Sequence, residues 1–157
     1  MLKHRLSTYG LATLFFLFIV LSLSVSFKVT ASDNGVEISD AWARATFATA
    51  KTGAGYFKIT NNGEKSIALI SASVSETVAT MVELHETVMA DGMMQMRELE
   101  DGIPIAVGET VVFQPGGRHL MFLGLSQGLT ADTAFDVTLS FSDETVMQVN
   151  FVVKDMR

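Results

Sequence analysis

The chain has 157 residues, no cysteine, and 17 acidic against 11 basic side chains, a length that suits a single domain. An acidic balance provides no positive patch for nucleic acid or an anionic membrane surface. Without cysteine, the core must hold together without disulfide staples.

The N-terminus reads as an export signal. Lys3, His4 and Arg5 form a basic head, LATLFFLFIVLSLSVSF from Leu11 to Phe27 an apolar run, and VTA at Val29 to Ala31 a small-residue processing site. Cleavage after Ala31 would leave a domain over 32–157. The alternative is a retained anchor, because the run reaches the lower limit for a spanning helix (~17 residues). No cysteine follows it, so no lipid-carrying thiol is expected. Either way the domain is exported. Losing Lys3, Arg5 and Lys28 leaves all 17 acids against 8 Lys and Arg. Losing His4 leaves two histidines, His85 and His119.

Beyond residue 31 the chain reads as short strands broken by turns, with no amphipathic helix. The expected strands are Val36 to Ile38 with Ala41 to Ala45, Gly55 to Thr60, Ile67 to Val74, Met81 to Val88 and Met93 to Leu99. Thr110 to Phe113, His119 to Leu123, Phe135 to Phe141 and Thr145 to Val153 follow. NNGE, ADG, EDGIP, VGE, QPGG and SDE lie between them as turns. Eight or nine strands at this spacing predict an all-β fold, an antiparallel sandwich or Greek-key barrel.

One hairpin is specified closely. Asp91-Gly92 predicts a two-residue type I′ turn. Ala90 then faces Met93, Met89 faces Met94, Thr87 faces Met96 and His85 faces Glu98. His85 and Met96 become diagonal neighbours on one face, ~7–8 Å apart at the backbone. Val82, Leu84 and Val88 share the other face, the better candidate for the core. Further on, His119 and Met121 are two apart in a strand and project to the same side, just after the Pro115-Gly116-Gly117 turn. Two strand-borne His and Met pairs would converge at one end of a barrel.

Two imidazoles and two thioethers make a soft, uncharged donor set. Thioether sulfur favours cuprous copper over zinc, magnesium or calcium, and a neutral set fits a singly charged ion, so His85, Met96, His119 and Met121 read as a Cu(I) site. A blue-copper centre is excluded, because it needs a Cys thiolate. Weak donors near the surface suit a carrier that must pass its metal on. Binding needs neutral imidazoles, so affinity should fall as acid protonates them.

Other features are plainer. Met81 and Met147 are expected in the core, as adaptable filler, and Met93 is ambiguous. Met89 and Met94 share a face with Met96, as a soft rim or a spare thioether. Trp42, between Asp40 and Arg44, is expected to pack on a strand. Gly53-Ala54-Gly55 precedes no helix and is no phosphate loop. Glu98, Glu100 and Asp101 read as a solvated turn, and no nucleophile elbow is present, so no enzyme is expected.

At these residues the sequence resembles the PCuAC-type copper chaperones. Their signature is a His, a Met after ten residues, then His-x-Met a little over twenty residues on. Here ten residues separate His85 from Met96, and 22 separate Met96 from His119 in "HLM". "DAWARAT", "TGAGYFKITNNG", "LHET", "PGGRHLM" and "VTLSFSD" extend the likeness through nearly the whole domain. The resemblance implies a cupredoxin-like barrel binding one Cu(I) through His85, Met96, His119 and Met121. It also implies a periplasmic location of the Gram-negative type and delivery towards the CuA centre of cytochrome c oxidase. The partner would be a copper-accepting protein, either an oxidase subunit or a Sco-type thiol protein. A monomer is expected, free of nucleic acid and, once the signal is cleaved, of the membrane. Some relatives carry a His- and Met-rich C-terminal tail; this sequence ends in VVKDMR, so no tail-borne site is expected. Two other functions fit the same residues: copper buffering without delivery, and a metal-free β-sandwich binding module whose methionines pack on a partner.

Overall fold

The computed structural model describes residues 35–90 and 92–155. The expected export signal and its cleavage position, and Asp91 of the hairpin turn, lie outside the described residues. No described helix is long and apolar enough to cross a membrane.

Among the described residues ten strands form one sheet: β1 (Val36–Arg44), β2 (Thr52–Asn61), β3 (Ile67–Val74), β4 (Met81–Ala90), β5 (Met93–Glu98), β6 (Ile103–Ile105), β7 (Thr110–Phe113), β8 (Arg118–Leu123), β9 (Ala134–Phe141) and β10 (Val146–Lys154). Their order is β5-β4-β8-β7-β2-β1-β10-β9-β3-β6, with β8 also pairing β2. The sheet is mixed rather than purely antiparallel, because β1 runs parallel to β10 and β7 meets β8 in parallel. β3, near one end of this order, packs against β4, near the other. The sheet thus curls around a single core.

That core is built from inward-facing alternate residues. Phe57, Phe122, Phe151, Leu69, Leu120 and Leu139 are essentially inaccessible to solvent. Each contributes roughly 1.5–3 kcal/mol by leaving water. Phe57 stacks on Phe113 at 4.1 Å and meets Phe151 edge-on at 5.8 Å. Gly55 on β2 lets the aromatic rings close in: a Cβ there would lie 2.9 Å from Phe122 and 3.1 Å from Phe151.

The expected strands all form, with three differences. The two short N-terminal segments are one strand, β1, whose pairing with β2 shifts register between Ser39 and Trp42, where Asp40 adopts φ 54°. Asp tolerates that left-handed geometry better than most residues. β6, hidden in what reads as the turn EDGIP, is a tenth strand: Ile103 and Ile105 are buried, while Pro104 sits opposite Ala68 of β3, at the sheet edge where a missing N–H is tolerated. Met81 is not core filler. It lies on the outer side of β4, half exposed, whereas Met147 does pack, partly buried, against the core. Trp42 packs as expected, its ring tilted by 39° against Tyr56 across the β1–β2 pair with centroids 4.5 Å apart.

Candidate metal site

Three neighbouring strands carry the candidate residues. β4 lies between β5 and β8; alternate residues of β4 and β8 turn towards the core, whereas every residue of β5 is exposed. Leu84, Leu120 and Phe122 point inward; Glu83, His85, Thr87, Met94, Met96, His119 and Met121 therefore share the outer face.

The register fixes their order. His85 pairs with Glu98 of β5 and Thr87 with Met96, as the Asp91-Gly92 turn predicts, and Gly92 has the positive φ (76°) such a turn requires. On the other side, His85 pairs directly with His119 and Glu83 with Met121. Met96 and Met121 are thus both diagonal to His85, one on each side, and Met121 is two residues along from His119. The imidazole centroids are 5.7 Å apart. The two His and Met pairs sit side by side on adjacent strands.

Hydrogen bonds set each ring's free nitrogen. Gln114-Pro115-Gly116-Gly117 forms a tight turn, closed by the Gly117 N–H donating to the Gln114 carbonyl at 3.0 Å. Gly116 has φ 79°, so glycine follows proline as a type II turn demands. The turn aims the Gly117 carbonyl back at the strand, where it accepts the Nδ1–H of His119 at 3.0 Å and the Thr87 backbone N–H at 3.2 Å. A carbonyl only accepts, so Nδ1 carries the proton and Nε2 of His119 keeps its lone pair. For His85 the roles reverse. Its Nε2 donates to the Glu83 carboxylate at 2.8 Å, which in the neutral ring makes Nδ1 the lone-pair nitrogen. That Nδ1 is buried and has no hydrogen-bond partner. A buried acceptor left unpaired is costly, and a ligated cation would satisfy it.

The sulfurs differ in access: Met96 is 60% exposed, while Met121 is partly buried. Among the described residues, no three His, Cys, Asp or Glu side chains group as a metal cluster. The donors fit a soft monovalent ion rather than zinc or calcium.

On the inner side of the same strands, the Glu86 carboxylate meets Arg97 of β5 at 3.0 Å and Arg118 of β8 at 3.4 Å. It ties together the three strands that bear the site.

Residues 36–153 match the protein family described as "Putative lipoprotein LpqE-like". The chain belongs to this family, which is the PCuAC family. Among its relatives, "Putative lipoprotein Lxx21020" of Leifsonia xyli subsp. xyli is 36% identical over 122 residues, 78% of this chain and 71% of that protein. Among solved structures, the Cu(I) form of DR1885 from Deinococcus radiodurans is 26% identical with a TM-score of 0.60, covering 80% of this chain and 84% of that one. The copper-bound PCuAC domain from PmoF2 is 19% identical with a TM-score of 0.63, covering 77% and 93%. The fold is the cupredoxin-like β-sandwich of these PCuAC neighbours.

Two contributors escape a search for ligand types. Glu83 stands two residues before His85, so strand alternation puts it on the same face, and its carboxylate orients that ring. The Gly117 carbonyl does the same for His119. The donor set is neutral, as the sequence suggests, but a carboxylate adjoins it.

Proposed function

We propose that this PCuAC protein is an exported, periplasmic Cu(I) chaperone. It holds one cuprous ion between His85 Nδ1, His119 Nε2 and the thioethers of Met96 and Met121, and gives it up by ligand exchange. The observation that carries this reading is the direct pairing of the two histidines, each with one ring nitrogen left outside the hydrogen bonds that orient it. The copper-loaded states named for DR1885 and the PmoF2 domain support it.

Copper is cargo here, so no residue is assigned a catalytic role and the protein is not an enzyme. Uncharged donors hold Cu(I) firmly enough to carry and loosely enough to release. The exposed Met96 is the first ligand an incoming donor would displace. A recipient thiolate, anionic and soft, binds Cu(I) better than a thioether, so transfer runs towards a Sco-type thiol protein or the CuA subunit of cytochrome c oxidase. Glu83 supplies a negative charge next to the cation and holds the His85 ring in place, the usual task of a carboxylate behind a metal-bound imidazole.

Replacing Met96 and Met121 together by Leu keeps size and apolarity. The double variant should unfold like the parent and lose Cu(I) in competition with a cuprous chelator. Undiminished Cu(I) retention would overturn the assignment.

A further inference from the structure

The outer face of the β4–β5 hairpin continues past the His85–His119 pair. Met89 pairs directly with Met94, and both lie on the same side as Met96. The three are 68%, 66% and 60% exposed, so none serves the core. Cross-strand partners have Cβ atoms about 4.5–5.5 Å apart, and diagonal neighbours lie ~7–8 Å apart at the backbone. Flexible, unbranched methionine side chains close such gaps readily. Met96 occupies a particular place in this ladder. Facing Thr87, it is diagonal to His85 on one side and to Met89 on the other.

We infer that Met89, Met94 and Met96 form a second, weaker Cu(I) station at the turn end of the hairpin, with Met96 shared between it and the His85–His119 site. This rests on the Cu(I) reading above. Three neutral thioethers on a wet surface select a soft monovalent ion, but without imidazole they hold it less tightly than the inner set. The ion therefore passes downhill from the tip to the histidines. It keeps Met96 throughout while Met89 and Met94 are exchanged for His85, His119 and Met121. Copper stays monovalent, and only metal–ligand bonds form and break.

The test is an oxygen-free titration of the protein, carrying 13C-labelled methionine methyls, with Cu(I) and with Ag(I) as a redox-inert stand-in. The first equivalent should shift the Met96 and Met121 methyls; the second, left with Met89 and Met94 once the inner ion holds Met96, should bind more weakly and shift those two. The M89L/M94L variant should keep the first equivalent, lose the second, and accept Cu(I) from a chelator several-fold more slowly. If Met89 and Met94 stay unshifted through two equivalents while Met96 and Met121 respond, the station is refuted and the carrier reading stands. If Met96 and Met121 are also silent, the carrier reading falls, and the station with it.

Discussion

Leu84 and His85 are adjacent in the chain and belong to opposite surfaces of the same strand. The inner surface of β4 and β8 joins the core through Leu84, Leu120 and Phe122, whereas the outer surface of these strands and of the exposed β5 carries His85, His119 and a line of thioethers. Methionine, the usual filler of irregular cores, is missing from the buried core among the described residues. Stiffer Phe, Leu, Ile and Val take that work, and the soft side chains stand outside, where sulfur is accessible. The contrast teaches that the two surfaces fail separately: damage inside should unfold the protein, and damage outside should disarm it.

The largest effect should come from the inside. Phe57→Ala removes a ring stacked on Phe113 and should cost about 3–5 kcal/mol, read from denaturant unfolding. Gly55→Ala should cost about 1–3 kcal/mol by overpacking, since its methyl would press on the Phe122 and Phe151 rings. A neutral result in the same assay would mean that β2 moves outward easily. Outside, Glu83→Ala should weaken Cu(I) binding by about 10–100-fold, as losses of a carboxylate behind a metal-bound histidine do, with the unfolding midpoint little moved. A large stability loss without an affinity change would make Glu83 a structural residue.

The smallest effect belongs to neither surface's chemistry. The Lys58 ammonium, 2.8 Å from Asp40 and hydrogen-bonded to it, holds that exposed carboxyl below its ordinary value. Its contribution is complete above the carboxyl's unfolded value and disappears as pH falls through the lowered folded one. Asp40→Asn keeps a side chain that accepts the left-handed backbone and should erase only that acid-side slope. Salt should shrink the difference further.

Local physics was legible in the sequence, and long-range pairing was not. Asp91-Gly92 dictates a turn, the turn dictates register, and so Thr87 opposite Met96 and His85 opposite Glu98 follow from local residues. Alternation likewise gives His119 and Met121 one face. That β8 lies beside β4, pairing His85 directly with His119, depends on strand order, which no local pattern encodes. β6 escaped because Pro104 and the preceding Asp101-Gly102 speak for a turn, and only burial of Ile103 and Ile105 against β3 makes it a strand. Met81 misled because residue type suggested core while its odd-numbered place on β4, shared with His85, put it outside.

The central claim is that two ring nitrogens and two thioether sulfurs meet at one cuprous ion. X-ray absorption on protein loaded with one equivalent of Cu(I) counts those neighbours directly. Two imidazole nitrogens and two sulfurs are expected, with both sulfurs absent from the M96L/M121L variant. A first shell of nitrogen and oxygen without sulfur in the parent protein would contradict it.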